Sequence, residues 1–400
     1  MKSLSLKVQQ LEQSQTLAFT QLAGDMRRQG IDVVGLTAGE PDFPTPPHIK
    51  MAAVQAIDEN FTHYTSLAGI PELINAIVNK FKTDNGLHFE PSQILVSCGA
   101  KHSCYNALQA ICNPGDEVVI ASPYWVTYPE IVKLVDAKPV IVNTTIESNF
   151  KISAQQLRKA INAKTKAFIF NSPNNPTGSV YSQGEIEELA DVIKETGIYV
   201  VSDEIYEKVL YDSVKHFSIG SIKQIKDQVI TINGVSKAYA MTGWRIGYLG
   251  AVKEIAQAAG KVQGQVTSNA TSIAQKAAVS ALNAPQTDVT AMVAEFSRRR
   301  DFIFEKLSAI PGIEVQKPKG AFYLFPSVKE FAGKRVEGEL IKDDMDVCKF
   351  LLEKEHLAVV PGSAFGAKHH LRLSYACSMK DLEKAAQRLK RGFKKMSEGY

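Results

Sequence analysis

Residues 199–206 read Y-V-V-S-D-E-I-Y, a short apolar run that ends in an acid and a phenol. Further runs of this kind alternate with helical patterns between residues 94 and 251: Ile94–Val96, Glu117–Ile120, Val140–Val142, Ala167–Phe170, Val229–Ile232 and Ile246–Leu249. Continuous apolar strands separated by helices are typical of a mostly parallel sheet that is buried on both faces. This stretch therefore predicts an α/β fold.

The patterns change on the C-terminal side of this stretch. Helical patterns dominate residues 252–309, and a terminal helix is predicted from Lys380. Between them the sequence predicts strands at 313–315, 322–324, 357–360 and 371–374 and a helix at 345–355. Strands with few crossover helices are typical of a smaller α+β domain. We expect a large domain over residues 45–284 and a small domain made of residues 1–44 and 285–400.

The N-terminal part carries its own boundary signals. A helical pattern from Gln15 to Gln29 ends at Gly30, which suits a left-handed cap. Residues 38–47 read A-G-E-P-D-F-P-T-P-P, and their prolines exclude both helix and central strand. The segment fits an ordered loop or a plain linker. Pro47 suits the first position of the next helix.

Composition limits the classes of function. The 400 residues include 46 Lys and Arg against 42 Asp and Glu, and a net charge of +4 is too small to imply a nucleic-acid partner. The five cysteines form no C-x-x-C pair, so neither a zinc site nor a disulfide framework is predicted. Residues 1–15 lack the apolar core of a signal peptide, and no membrane span is predicted. We expect a cytoplasmic, multi-domain enzyme without a metal.

One strand end predicts an anion site. In an open parallel sheet, ligands bind beyond the carboxyl ends of the strands. The first strand is followed by S-C-G-A-K at 97–101 and at once by a helical pattern. Gly99 lets backbone N–H groups approach a ligand, and a helix N-terminus attracts negative charge. Since no triphosphate or dinucleotide fingerprint is present, a single phosphate fits best; a small-residue turn is the structural alternative.

Two central strands also end in polar residues. S-P-N-N-P-T-G at 172–178 fixes a turn from which Asn amides can donate into a cleft. Asp203 and Tyr206 follow the strand 199–201. Because buried carboxylates are seldom unpaired, we expect Asp203 to have a cationic partner. A bare turn and a helix cap are the structural alternatives.

Three basic residues complete the set. Lys237 follows the strand 229–232 among small residues, where a lysine can act as an amine nucleophile or Schiff-base former. Arg245 suits a phosphate, and Arg372, inside an apolar strand, must find an anion. A solvated charge and a structural ion pair are the alternatives for single residues. Together, the lysine, the acid and the anion sites predict pyridoxal phosphate as cofactor.

Five motifs carry a family resemblance. A-G-E-P-D-F, S-P-N-N-P-T-G, S-D-E-I-Y, S-K-A-Y-A-M-T-G-W-R-I-G-Y and L-R-L-S-Y-A follow one another in this order. Over residues 4–390 the chain resembles class I aminotransferases of the fold-type-I pyridoxal-phosphate family, and most of all the bacterial aspartate aminotransferase branch with a lysine in the phosphate loop. The resemblance implies amino acids and 2-oxo acids as substrates and a homodimer with shared active sites.

The resemblance also implies roles for single residues. Lys237 would bind the cofactor covalently and move a proton, while Asp203 would pair with its ring nitrogen. Tyr206 and Asn175 would bind the phenolic oxygen of the cofactor, and Trp125 would stack on its ring. The phosphate would be lined by Gly99, Ala100, Lys101 and Arg245, with Tyr64 from a second subunit, and the substrate α-carboxylate would be bound by Arg372 with help from Gly39 and Asn175. The bonds Ser122–Pro123 and Asn175–Pro176 resemble bonds that are cis in this family.

The chain departs from the family pattern at a few positions. Many relatives place Ser or Thr where this chain has Gly234, so that phosphate contact is either missing or taken over by Ser236. Other branches bind the distal carboxylate of the substrate through an arginine of the neighbouring subunit, but residues 262–275 contain none. In the branch that this chain resembles, Lys101 would do so. Members that transaminate prephenate tend to carry a lysine near Glu12, which argues mildly against that activity.

The resemblance favours transamination between aspartate and 2-oxoglutarate by a ping-pong mechanism. An aromatic or prephenate aminotransferase on the same scaffold is the alternative, distinguished by its selectivity for the distal carboxylate. A transcription regulator with an aminotransferase-like domain would need a DNA-binding module, and residues 1–44 contain no helix-turn-helix pattern or basic cluster. A nicotinamide dehydrogenase is disfavoured by the missing dinucleotide fingerprint.

Overall fold

The computed structural model describes residues 4–12 and 15–399. The described strands are β1 (Val34–Gly35), β2 (Ile94–Ser97), β3 (Glu117–Ser122), β4 (Lys138–Asn143), β5 (Thr165–Asn171), β6 (Tyr199–Asp203), β7 (Val229–Gly234), β8 (Gly247–Gly250), β9 (Tyr323–Leu324), β10 (Arg335–Val336), β11 (Glu339–Leu340), β12 (Leu357–Ala358), β13 (Val360–Pro361) and β14 (Leu371–Ser374). The described helices are α1 (Leu6–Gln9), α2 (Gln15–Arg28), α3 (Pro47–Asp58), α4 (Pro71–Asn85), α5 (Ala100–Ile111), α6 (Thr127–Leu134), α7 (Ala154–Ala160), α8 (Gln183–Thr196), α9 (Lys253–Val266), α10 (Ser272–Asn283), α11 (Thr287–Ser308), α12 (Asp344–Glu355) and α13 (Met379–Glu398).

A seven-stranded sheet forms the centre of the protein. Its strand order is β2-β8-β7-β6-β5-β3-β4, and all neighbouring strands are parallel except that β8 runs antiparallel to both β2 and β7. The seven apolar runs predicted from the sequence correspond to these seven strands. The prediction of an α/β fold with a mostly parallel sheet is confirmed.

The sheet is buried on both faces because successive side chains of a strand point to opposite sides. Val118 and Ile120 pack into one apolar core together with residues of α5, α6 and α9. Val119, which lies between them, packs into a second core with residues of α7 and α8. This arrangement explains why the strands are apolar without interruption.

Local sequence signals set the ends of several helices. Pro47 occupies the first turn of α3, as predicted, and Gly30 follows α2 in the left-handed region with φ of +85°. On α3 the predicted apolar face is only partly right, because Ile49, Ala53 and Ala56 are buried whereas Ile57 is 52% exposed.

The C-terminal elements build a second group around their own core. β13, β14 and β9 form a three-stranded antiparallel sheet, and β1 pairs in parallel with β12. Helices α11, α12 and α13 contribute to the apolar core of this part. The predicted strand at 313–315 is wrong, since only a single bridge joins Glu314 to Ser327, and the run 357–360 is divided between β12 and β13. The domain boundaries stay a prediction, and residues 1–3, 13–14 and 400 lie outside the described residues.

The backbone contains cis peptide bonds before proline. The bonds Ser122–Pro123 and Asn175–Pro176 are cis, as the resemblance implied, and Ser172–Pro173 is a third cis bond that the sequence did not reveal.

Among the described residues, no helix combines the length and the apolar character needed to cross a membrane.

Candidate active site

A cavity of about 480 Å³ lies beyond the carboxyl ends of β5, β6 and β7. It is lined by eleven of the thirteen residues predicted from the sequence: Gly39, Ala100, Lys101, Trp125, Asn175, Asp203, Tyr206, Ser236, Lys237, Arg245 and Arg372. Because these residues come from distant parts of the chain, their meeting in one cavity is a property of the fold. The remaining two predicted residues, Gly99 and Tyr64, are not part of the lining.

Lys237 lies in the loop after β7, and its ammonium is held inside the cavity. Its Nζ donates a 2.6 Å hydrogen bond to the backbone oxygen of Gly39. Burial lowers the pKa of Lys237 to about 8, and the nearby charges of Arg245 and Arg372 act in the same direction. A substantial fraction of this amine is therefore neutral near pH 8, which makes it a competent nucleophile.

Asp203 ends β6 and is buried. Its Oδ2 accepts a 2.7 Å hydrogen bond from the hydroxyl of Tyr128, and its Oδ1 accepts a 3.2 Å bond from the backbone N–H of Ile205. Burial raises the pKa of the Asp203 carboxyl, while the bond from Tyr128 opposes that rise. No cationic side chain of the described residues forms an ion pair with Asp203, so the predicted cationic partner is left to a ligand, and the bond from Tyr128 partly compensates the loss of solvation.

Arg372 is 2% exposed and lies in β14. Its Nη2 donates to the backbone oxygen of Thr37 at 2.7 Å, and its Nη1 donates to Oδ1 of Asn175 at 3.2 Å. Its guanidinium lies 4.7 Å from the ring centre of Tyr323 and 4.9 Å from that of Phe365. These contacts fix its position without neutralising its charge.

No acidic side chain of the described residues forms an ion pair with Arg372, and its buried Nε has no hydrogen-bond partner. A buried charge of this kind is costly unless an anion meets it. Since Arg372 also lines the cavity, the missing anion is best supplied by a ligand. A carboxylate matches the fork of a guanidinium.

The N-terminus of α5 and Arg245 form another part of the site. Gly99 is the residue before α5; its φ of +91° favours glycine, and a Cβ there would also meet the guanidinium of Arg245. Arg245 itself is fixed by bonds to the backbone oxygens of Thr242 at 2.8 Å and Cys98 at 3.3 Å. A guanidinium beside a helix N-terminus attracts a phosphate.

Lys101 is an exposed residue in the first turn of α5, and it also lines the cavity. Its Nζ lies 5.0 Å from the ring centre of Trp125. Desolvation by its surroundings and the charge of Arg245 lower the pKa of Lys101. Its ammonium is thus a second cation of the cavity, together with Arg245, that forms no ion pair with the described residues.

Sequence reasoning missed two hydroxyl groups of the site. Tyr128 and Tyr323 both line the cavity, and the hydroxyl of Tyr323 lies 2.7 Å from that of Tyr206. Tyr128 lies in α6, and its ring centre is 5.3 Å from that of Trp125, which precedes the helix. The spacing of three residues from Trp125 was its one sequence signal, and it does not reveal the bond to Asp203. Tyr323 carried no signal beyond its place in an apolar run.

The two predicted residues outside the lining have different positions. Gly99 stands directly behind Arg245, as described above. Tyr64 is 90% exposed, so this chain alone does not bring it to the cavity. Its predicted contact with the site of a second subunit stays a prediction.

Comparisons with known proteins agree with the sequence motifs. The profile of the aminotransferase class I and II family matches residues 31–389. An aspartate aminotransferase of Bacillus sp. (strain YM-2) is 49% identical, covering 97% of this chain and 98% of the relative. A probable aspartate/prephenate aminotransferase of Rickettsia bellii is 44% identical, covering 98% and 99%. The structure of Thermus thermophilus aspartate aminotransferase with maleate superposes with a TM-score of 0.93 at 43% identity, covering 98% of this chain and all of that one.

Proposed function

The chain belongs to the class I and II aminotransferases, and from that membership we propose that it transfers the amino group of aspartate to 2-oxoglutarate. As a member of this family it is an enzyme that transfers amino groups with pyridoxal 5'-phosphate as cofactor. Its substrates are amino acids and 2-oxo acids. The choice of aspartate as amino donor is the part that the following paragraphs argue.

The residues of the cavity fit this cofactor. A lysine with a pKa of about 8 is available for a covalent bond, and a buried acid, Asp203, lines the same cavity. A guanidinium beside the N-terminus of α5 supplies the cradle for one phosphate. When bound, the cofactor supplies an electron-accepting ring that stabilises the charge developing at the substrate Cα.

We assign the roles in catalysis to the chain's own groups. The amine of Lys237 holds the cofactor and, once released by the substrate, takes the proton from Cα; a base with a pKa near the working pH does this best. Asp203 holds the proton on the ring nitrogen, and Tyr128 keeps its carboxylate oriented. Tyr206 and Asn175, which line the cavity, would bind the phenolic oxygen, and Trp125 would contact the ring face.

The unpaired charge of Arg372 carries the proposal. A buried guanidinium without an anion partner indicates a carboxylate ligand, and every amino acid and 2-oxo acid presents one. Arg372 therefore binds the α-carboxylate, and Asn175 holds the guanidinium in place. Ser236 and Gly39, which line the same cavity, complete the phosphate and substrate contacts.

The preference for a dicarboxylic donor rests on Lys101. A substrate held at one end by Arg372 needs a second cation for its distal carboxylate, and residues 262–275 supply no arginine. Lys101 lines the same cavity, and no carboxylate of the described residues pairs with it. The maleate bound to the structurally similar Thermus enzyme is likewise a dicarboxylate.

An aromatic or prephenate aminotransferase is the second candidate. The relative from Rickettsia bellii bears a name that includes prephenate, and this favours the candidate. Glu12, which lines a cavity beside Lys101, places an acid where relatives with that activity tend to carry a lysine. We therefore rank it below aspartate.

We also propose that the enzyme acts as a cytoplasmic homodimer in which Tyr64 completes the phosphate site of the other subunit. The outer face of α3 exposes Met51, Val54 and Ile57 at a spacing of three residues, and such a face suits an interface. All five cysteines are free of disulfides, which suits a reducing compartment.

A single-turnover experiment tests the function. Protein loaded with pyridoxal 5'-phosphate is mixed with aspartate, glutamate, phenylalanine or alanine, and the loss of cofactor absorbance is followed. We expect aspartate and glutamate to convert the cofactor fastest. A faster conversion by phenylalanine would favour the aromatic candidate, and no conversion by any amino acid would contradict the assignment of the site.

A further inference from the structure

A second polar cluster lies outside the cavity and consists of Lys80, Asn85, Glu204, Glu207 and His216. We call it the rear cluster. Lys80, Asn85, Glu204 and Glu207 are buried, and His216 is mostly buried, with 9% of its side chain exposed. None of them lines the cavity, so the roles assigned above do not account for them.

Glu204 is the best-connected member of the rear cluster. Its Oε2 lies 2.8 Å from Nε2 of His216. Its Oε1 accepts hydrogen bonds from the hydroxyls of Ser202 at 2.9 Å and Ser218 at 2.7 Å. The carboxylate is therefore fixed from several directions.

The remaining contacts connect the cluster to α4. Nδ2 of Asn85 donates to Glu207 at 2.6 Å and to Glu204 at 3.2 Å, and the ammonium of Lys80 pairs with Glu207. The ligand atoms of Glu204, Glu207 and His216 lie within 4.8 Å of one another, as at a metal site. The ammonium of Lys80 already pairs with Glu207. We therefore attribute the positive charge of the rear cluster to side chains of the protein rather than to a metal ion.

The charges of the rear cluster balance only when His216 is protonated. Two glutamates face one lysine, and the imidazolium supplies the second positive charge. Burial by itself would lower the pKa of His216, but the charge and hydrogen bond of Glu204 and the charge of Glu207 outweigh burial and the repulsion from Lys80. The pKa of His216 is therefore raised.

The segment Asp203–Glu207 connects the rear cluster to the cavity. Asp203 and Tyr206 line the cavity, whereas Glu204 and Glu207 belong to the cluster. Residues of the cavity and residues of the rear cluster therefore lie next to one another within a segment of five residues. Glu204 directly follows Asp203, so the contacts that hold Glu204 also hold the backbone next to the carboxylate that we assign to the ring nitrogen.

We propose that His216 is a positioning residue for amino-group transfer: its ion pair with Glu204 fixes the segment Asp203–Glu207 and thereby the placement of Asp203 and Tyr206. The inference rests on the proposed function. It predicts a dependence on pH whose sign follows from the proton on His216. The pair is complete below the ordinary histidine pKa of about 6.5 and is lost as the pH rises through the higher value of the folded protein.

The test compares His216→Gln, which keeps a hydrogen-bond donor without the charge, with His216→Lys, which restores the charge. Glu355→Gln is the matched control, because Glu355 is also a buried carboxylate with cationic partners, Arg391 and Lys395, but lies outside both the cavity and the cluster. Two quantities are measured: the NMR titration of His216 in the wild-type protein without cofactor, and kcat against pH from 6 to 10.

We expect the NMR titration of His216 to have its midpoint above about pH 6.5. The kcat of the wild-type protein should fall as the pH rises through this midpoint, and we call this fall the descent. His216→Gln should lower kcat near pH 7 on the order of tenfold, because its amide can still donate to Glu204 but no longer supplies the positive charge of the pair, and it should lack this descent. His216→Lys should recover much of kcat and also lack the descent. Glu355→Gln should leave the shape of the wild-type profile unchanged.

Two results would overturn the inference: a His216 titration at or below about 6.5, or profiles of both His216 variants that stay parallel to that of the wild type. If His216→Gln does not fold, the kcat profile of His216→Lys and the NMR titration of His216 still test the inference. Failure of the proposed function is seen separately, as a wild-type protein that transfers no amino group from aspartate. The titration without cofactor does not depend on that activity.

Discussion

The hydroxyl of Tyr128 donates a 2.7 Å hydrogen bond to Oδ2 of Asp203. This bond joins α6 to the end of β6 and supports the buried carboxylate, which has no ion pair with the described side chains. It follows that the charge state of Asp203 depends on a neutral neighbour. The first two predictions concern this pair.

Tyr128→Phe should raise the pKa of Asp203 further, because burial remains while the bond that opposes it is removed. The affinity for pyridoxal 5'-phosphate should then be lost at a higher pH on acidification, which a binding titration at several pH values measures. Tyr211→Phe, which alters a buried phenol outside the cavity lining, is the control and should not shift the profile.

Asp203→Asn should leave the protein folded and slow the step that removes the Cα proton. The negative charge that holds a proton on the ring nitrogen is removed from a poorly solvated site. The deuterium isotope effect on Cα and the single-turnover rate report this step. An unchanged rate and isotope effect would refute the assigned role.

The covalent attachment of the cofactor to Lys237 should depend on pH with a midpoint near 8. The free amine is the reactive form, and burial lowers its pKa to about 8. Borohydride trapping of the attached cofactor measures the initial rate of attachment from pH 6 to 10.

Lys237→Ala should still bind the cofactor, but borohydride should not trap it, and turnover should fall by at least roughly 10²–10⁴-fold. Wild-type activity in this variant would show that another group supplies the amine.

Arg372→Lys should weaken every amino donor alike, since an ammonium cannot make the two parallel bonds of a guanidinium. Truncation to Ala should cost roughly 2–5 kcal/mol in kcat/KM. Arg300→Lys is the control: Arg300 is buried and pairs with Asp212 outside the cavity, so that variant should lose stability without a common loss for all donors. A loss of kcat/KM confined to aspartate would show instead that Arg372 binds the side-chain carboxylate of the substrate.

Much of the fold could be predicted because its signals are local. A fully buried parallel strand must be apolar along its whole length, so the run ending at Asp203 identified β6 and the acid together. The strand predicted at 313–315 failed because apolar residues there contact the core without pairing beyond one bridge. Tyr128 was missed because it lies on a short helix rather than at a strand end. Its bond to Asp203 depends on tertiary packing, to which sequence spacing gives no direct access.

The central claim is the preference for a dicarboxylic donor, and Lys101 tests it. The deciding quantity is the ratio of kcat/KM for aspartate to that for phenylalanine, measured at saturating cofactor in the wild type and in Lys101→Ser. Lys166→Ser is the control, because Lys166 also lies over an aromatic ring, that of Tyr199, but outside the cavity.

The loss of one bond to the distal carboxylate should reduce the aspartate value by about 1.5–3 kcal/mol, or roughly 10- to 150-fold, and the phenylalanine value much less. The ratio should therefore fall sharply in Lys101→Ser and stay constant in Lys166→Ser. Equal losses for aspartate and phenylalanine in Lys101→Ser would contradict the claim and favour an aminotransferase of broad specificity.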